Sequence, residues 1–311
     1  MERQQRTIRR PIRLTGIGLH SGLPVHLDIL PAKSNHGITF RRTDLLGVEP
    51  LLAHASNITS TELSTTLGHG QNSVSTIEHL MAALFGLGID NAEIFLDGPE
   101  IPIMDGSSST FVDAIFESGT MQLDAPKKVL VAKEAFEVRD GDRWMRISPC
   151  DELIFDCQIE YPSAAIGRQH LSLSFNRTSF LELSNSRTFC HVREVDAMRA
   201  AGLALGGSLD NAIVVTDTAV INETGLRSQN EFVRHKVLDA IGDLALLGAP
   251  LLGRITMHKN GHGLHALFMK ELLKRSHFLL EEKTQGTIGP DSRPTGSKGL
   301  EELTAAAPAY N

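Results

Sequence analysis

The spacing of apolar positions changes along the chain, and each change marks a different element. Val25-His26-Leu27-Asp28-Ile29-Leu30 alternates apolar and polar, which predicts a strand with one buried face. Over 75–87 the period lengthens. Ile77, Leu80, Met81, Leu84 and Phe85 share one helical stripe, Ser75 and Glu78 have capping-box spacing, and Gly86 and Gly88 end the helix. Residues 91–96 read as a strand, 97–106 as a turn-rich loop, and 109–116 as a second helix. The pattern restarts near 124–128, with strands expected at 129–131, 136–138 and 144–147 around the turn Asp140-Gly141-Asp142, and again near 153–159. A helix over 192–201, a glycine loop at Gly206-Gly207 and a strand over 212–216 follow. A long helix then spans 231–247. Ser228 and Glu231 have capping-box spacing at its start, and Val233, Val237, Ala240, Ile241 and Leu244 form its stripe.

The two long helices correspond. Glu78-His79 is followed by Ala82-Ala83, Arg234-His235 by Leu238-Asp239, and both helices end in Leu-Gly. A duplicated unit explains this economically, so the expected class is α+β in two related domains, 1–126 and 127–274. After Glu282 the chain is rich in Gly, Pro, Thr and Ser, which predicts a disordered tail over 283–311.

Composition narrows the function classes. With 30 Lys plus Arg against 37 Asp plus Glu, a net charge of -7 offers no bulk attraction to nucleic acid or anionic lipid. Cys150, Cys157 and Cys190 form no C-x-x-C pair, which argues against a disulfide framework or a thiolate zinc knuckle. No stretch nears the roughly 18 apolar residues of a membrane span. A cytoplasmic, monomeric enzyme without a transmembrane segment or nucleic-acid partner is the expectation.

The candidate chemistry lies on the long helices. His235 and Asp239, four residues apart, share a helical face away from Val233, Val237 and Leu244. His79 likewise points away from its own stripe, beside Ala82 and Ala83, whose small size permits close helix packing. If the halves pack helix to helix, two histidines and one aspartate converge. Three N/O ligands with a fourth position open is the pattern of catalytic Zn²⁺. The competing reading for each histidine is a buried imidazole bonded to a backbone carbonyl. Glu78 beside His79 is either a general base for water or the partner of Ser75 in a cap. His262, between Gly261 and Gly263, is either a proton donor supported by Asp243, one turn beyond Asp239, or a loop residue without a role.

These blocks resemble the zinc-dependent UDP-3-O-acyl-N-acetylglucosamine deacetylases of lipid A synthesis. The likeness runs through Gly16-Ile17-Gly18-Leu19-His20, Ser75-Thr76-Ile77-Glu78-His79-Leu80, Pro99-Glu100-Ile101-Pro102-Ile103-Met104-Asp105-Gly106, Ser186-Arg187-Thr188-Phe189, residues 231–243 and Gly261-His262, and stops near Leu273. It implies two α+β domains, each a sheet with a helix pair, stacked as a β-α-α-β sandwich. It also implies one Zn²⁺, with Fe²⁺ as an alternative in the cell, on His79, His235 and Asp239. Glu78 would then be the base, His262 the cationic acid supported by Asp243, and Thr188 an oxyanion donor. The substrate would be UDP-3-O-acyl-N-acetylglucosamine, deacetylated in the committed step of lipid A biosynthesis. An insert near 192–205 would form the acyl passage, lined by Leu19, Phe189, Ala204 and Ala212. Lys236 and Lys259 would lie near the sugar and diphosphate, and Glu160-Tyr161 near uridine.

The sequence departs from the family pattern in two places. Ser64 stands where some members carry a cysteine that captures an inhibitory metal, so weaker inhibition by excess zinc is expected. His191 stands where many have an aromatic residue, and Glu160 replaces an Asp. The chain ends at Asn311, so the fused dehydratase domain of some relatives is not expected. Two rivals are a zinc amidase or peptidase with another substrate, and a binding protein in which zinc joins two domains.

Overall fold

The computed structural model describes residues 4–276 and 280–284. The alternation at 25–30 becomes the strand Pro24–Pro31, with Val25, Leu27 and Ile29 fully buried. It lies in a five-stranded sheet ordered Ile12–Ile17, Pro24–Pro31, Ala92–Leu96, Ile38–Arg42, Leu51–Leu52. The second large sheet centres on Leu251–His258, which pairs antiparallel with Arg143–Ser148 on one side. It pairs parallel with Lys128–Ala132 at its start and, on the side opposite Arg143–Ser148, with Leu153–Glu160. Phe136–Asp140, Arg168–Ser174 and Leu280–Thr284 complete that sheet. Among the described residues no strand ladder crosses Lys127.

Six helices are present among the described residues: α1 (Glu78–Gly86), α2 (Ser109–Ser118), α3 (Arg177–Ser184), α5 (Glu231–Leu244) and α6 (His262–Lys274) pack against the core, whereas α4 (Val192–Ala200) lies on the surface with no buried residue. α1 and α5 pack on each other, α2 packs on the first sheet, and α5 and α6 pack on the second. The class is therefore α+β, a β-α-α-β sandwich with one apolar core continuous across both halves. The periodicity of α1 and α5 predicts one buried stripe each, but α1 is buried on every side except at Phe85, and α5 except at Arg234 and Lys236. Each helix has one face on its counterpart; α1 turns the rest of its surface to α2 and α3, and α5 to α6 and the second sheet.

Three expectations change. Neither capping box forms: the Ser75 hydroxyl donates to Pro99 O, the Ser228 hydroxyl has no partner, and both helices begin without a side-chain cap. The carboxylates of Glu78 and Glu231 are engaged elsewhere in the core. The long helix ends at Leu244, with a 3-10 turn Ala245–Leu247 leading to left-handed Gly248. Lys283 and Thr284, expected in the tail, belong to the strand Leu280–Thr284, and the rest of the predicted tail lies outside the described residues. The strand Arg168–Ser174 and α3 were not anticipated. That strand exposes one face and buries no residue fully, and α3 is rich in Ser and Thr.

Candidate metal centre and catalytic pair

Where α1 crosses α5, Gly242 makes the approach possible. A Cβ there would fall 2.0 Å from Glu78 O, so any larger residue would push the helices apart. Across this crossing the imidazoles of His79 and His235 meet edge to face, with ring centroids 5.0 Å apart.

Asp239 Oδ1 lies 3.2 Å from His235 Nε2 and 3.6 Å from His79 Nε2, with all three side chains at most 5% exposed. Asp239 Oδ1 nevertheless accepts no hydrogen bond. A buried carboxylate oxygen without a donor is expensive unless something else fills its lone pairs. The spacing suits a cation: ligands about 2.0 Å from a tetrahedral ion sit roughly 3.3 Å from one another. The donor set also fits, because His235 Nδ1 donates to Ser186 O at 3.0 Å, which leaves Nε2 as the bare lone pair facing the site. These three residues could hold a metal ion. The other Asp239 oxygen, Oδ2, accepts from Lys236 Nζ at 2.7 Å. Burial alone would raise the Asp239 carboxyl, but the charges of His235 and Lys236 outweigh it and hold it well below the usual range.

Beside this cluster stand Glu78 and His262. Glu78 Oε2 accepts from Thr65 N at 3.1 Å, and Oε1 faces His262 Nε2 across 3.9 Å. That gap is too long for a hydrogen bond and leaves room for a reacting atom to touch both groups. Burial raises the Glu78 carboxyl. His262 opens α6, and its Nδ1 lies 2.8 Å from Asp243 Oδ2. Burial would lower the imidazole, but Asp243 and Glu78 overcome it and raise it to about 9. Both carboxylates therefore favour the imidazolium form of His262.

The remaining predicted residues lie around this core. Phe189 packs edge to face on Phe232, Tyr161 and His235, with Lys236 Nζ 5.7 Å from its ring centre. Thr188 is tied through its backbone to Gly106 O and Ile213 N. The end of the insert meets the Leu19 loop, Leu205 N donating to His20 O and the following Gly206 N to Leu19 O. Ala204 has left-handed φ, and Ala212 is buried. Lys259 pairs with Asp142 Oδ2 at 2.6 Å and Glu160 Oε2 at 3.4 Å, while Glu160 also binds Arg168. His191 caps α4, accepting from Arg193 N and forming a capping box with Glu194. Ser64 is buried next to Thr65.

Residues 5–274 match the family model described as UDP-3-O-acyl N-acetylglycosamine deacetylase. The chain belongs to this family. It is 49% identical over 275 residues to the UDP-3-O-acyl-N-acetylglucosamine deacetylase of Acidithiobacillus ferrooxidans, covering 88% of this chain and 90% of that one. The protein of the same name from Geobacter sp. strain M21 is 48% identical over 274 residues (87% and 89% covered). That from Methylococcus capsulatus is 47% identical over 274 residues (87% and 90% covered). Among the described residues of this deacetylase-family chain no helix is long and apolar enough to cross a membrane.

Sequence reasoning missed several supports of the site. Thr65 bonds both acid groups, donating its hydroxyl to Asp243 Oδ1 at 2.6 Å and its N–H to Glu78. Glu231 accepts from Arg187 N and Nε at 3.0 Å each and from Arg227 N, which fixes the loop whose Ser186 carbonyl orients His235. His265 Nδ1 lies 2.7 Å from Asp243 Oδ2. Only the last had a sequence signal, its three-residue spacing from His262 on one helical face.

Proposed function

We propose that the chain hydrolyses the 2-acetamido group of UDP-3-O-acyl-N-acetylglucosamine in a zinc-dependent reaction, releasing acetate and the free amine in the committed step of lipid A biosynthesis. The observation that carries this reading is the undonated Asp239 Oδ1 between two imidazoles, 3.2 and 3.6 Å away, next to the Glu78 and His262 pair. The names of the relatives supply the substrate class.

His79, His235 and Asp239 would hold the ion. Zn²⁺ suits this N₂O donor set, and Fe²⁺ is compatible with it. When bound, the ion supplies Lewis-acid polarisation of the amide carbonyl and acidifies water. Glu78 takes the proton of the attacking water on Oε1, the oxygen not engaged by Thr65. His262, with Nδ1 held by Asp243, directs Nε2–H toward the same gap and protonates the departing amine. The Thr188 hydroxyl steadies the oxyanion. An acyl passage runs between Leu19, Phe189 and the insert, Tyr161 meets the uridine, and Lys236 meets the sugar. Lys259 reaches the diphosphate by exchanging Asp142 and Glu160 for it. The metal ligands come from two domains, 1–126 and 127–274, of a monomeric cytoplasmic enzyme. Its three unpaired thiols support that compartment.

The test is amine release from UDP-3-O-acyl-N-acetylglucosamine before and after chelation, with zinc then restored. Activity lost and regained, with preference for the 3-O-acylated sugar over the unacylated one, is the expected outcome. A folded, zinc-loaded protein that releases no amine would exclude this substrate.

A further inference from the structure

Behind His262 and Asp243 lie His265 and Asn260, polar side chains that the proposed reaction does not itself employ. Asp243, His262 and His265 bring their donor atoms within 4.8 Å of one another, a grouping that could hold a metal. Their hydrogen bonds give another explanation. Both imidazoles turn Nδ1 to the same oxygen, Asp243 Oδ2, at 2.8 and 2.7 Å. His265 is fully buried and continues the chain: its Nε2 lies 2.9 Å from Asn260 Nδ2.

The direction of each proton follows from the far end. Asn260 Nδ2 also reaches Lys236 O at 3.1 Å, and a carbonyl can only accept. Asn260 Oδ1 accepts from the Cys157 thiol at 3.2 Å, which burial pushes up to about 12 and so keeps protonated. The amide therefore presents N–H to His265, and His265 Nε2 must be the acceptor. His265 is then neutral, its single proton sits on Nδ1, and it donates to Asp243. With Thr65 on Oδ1 and His262 on Oδ2, Asp243 accepts three hydrogen bonds and has one orientation.

We propose that Asn260 and His265 form a buried positioning relay that locks the Asp243 carboxylate against His262 Nδ1. This rests on the deacetylase reading for its consequence, but the relay itself is a statement about protons that can be read without turnover. Its source is the helix carrying Lys236 and Asp239, so the acid of the reaction is anchored to the metal-bearing helix through its backbone.

The experiment combines kinetics with imidazole ¹⁵N NMR on the full chain. In the unsubstituted protein at neutral pH His265 should appear as the neutral Nδ1–H tautomer. Asn260→Ala should release Nε2 and mix the tautomers. His265→Leu should keep its metal and hold KM within about twofold while kcat falls about ten- to a hundredfold, the scale of a misplaced catalytic group. Charged and titratable groups facing His262 are Asp243 and Asp239 from α5, Glu78 from α1, His20 from the loop after Ile12–Ile17 and His265 on its own helix. Losing the His265 donor leaves Asp243 a stronger partner for His262, so the alkaline limb of kcat should rise by about half a pH unit. His265→Asn, whose amide N–H replaces Nδ1–H, should restore most of kcat. A cationic or Nε2–H His265 in the unsubstituted protein overturns the relay, as does a His265→Leu protein with unchanged kcat and pH profile. If the unsubstituted protein releases no amine, the deacetylase reading fails, and the NMR result alone decides the relay.

Discussion

α1 and α5 carry matching histidines, yet their surroundings differ. His235 on α5 has Nδ1 on the Ser186 carbonyl, in a loop braced by the Arg187 and Glu231 ion pair, and its neighbour Asp239 is held by Lys236. On α1, His79 Nδ1 has no partner among the described residues, and only the backbone oxygen of His79 is tied down, by Ser108. α5 thus holds His235 and Asp239 in place, and α1 supplies one imidazole whose orientation rests on packing. The difference teaches that a two-fold sequence likeness need not give two equal half-sites.

Removing ligands from each helix breaks the comparison most severely. Both His79→Ala and Asp239→Ala should abolish metal retention and turnover, which metal analysis and amine release would read. Their stabilities should diverge. Asp239→Ala leaves Lys236, 15% exposed, without its partner. That should destabilise the apoprotein by about 2–3 kcal/mol, less than a fully buried orphan charge because some solvent remains. His79→Ala leaves the Lys236–Asp239 pair intact and should cost about 1 kcal/mol less in chemical denaturation. Equal denaturation midpoints would remove the claimed asymmetry.

The proton pair sharpens it next. Glu78→Ala should keep the metal and lose kcat by about 10²- to 10⁴-fold, the range of general-base catalysis. Near-normal turnover would sink the role. His262 is raised to about 9, so its protonated form is present below that pH and is lost as pH rises through it. The alkaline limb of kcat should fall there. Asp243→Asn removes the anion that raises His262, so that limb should move down by about one pH unit or more. A limb that stays in place would assign it to another group.

How much of this was legible in the sequence follows the range of each interaction. Alternation at 25–30 and the stripes of α1 and α5 are local, and they gave element type correctly. The H-x-x-x-D spacing and the likeness of the two helices brought His79, His235 and Asp239 together, because helical periodicity fixes which side chains share a face. Ser75 and Glu78 show where local reasoning fails. Their spacing favours a cap, but Thr65, thirteen residues away, offers a buried N–H that the carboxylate takes instead. Thr65 itself carries no periodic or motif signal and is visible only once the fold places it between α1 and α5.

The smallest expected effect tests the crossing itself. Gly242 is the residue that lets Glu78 O approach α5, and nothing flexible stands in the way: the atom that a Cβ would meet is backbone. Gly242→Ala gains helix propensity, worth about 1 kcal/mol in an unhindered helix, but must displace α1 by about an ångström or more. Overpacking of this kind typically costs 1–3 kcal/mol, so the net change should be a loss of about 1 kcal/mol in denaturation. The displacement falls on the first turn of α1, where Glu78 and His79 sit, so turnover should drop more than stability suggests, by about tenfold. α5 would keep its own ligand geometry, because Ser186 and Lys236 are on its side of the crossing. His79 moves with the first turn of α1, however, so metal affinity should weaken together with kcat. A Gly242→Ala protein with native kcat would mean that α1 can slide without moving its functional groups, and that its single imidazole is held more firmly than its missing partner implies.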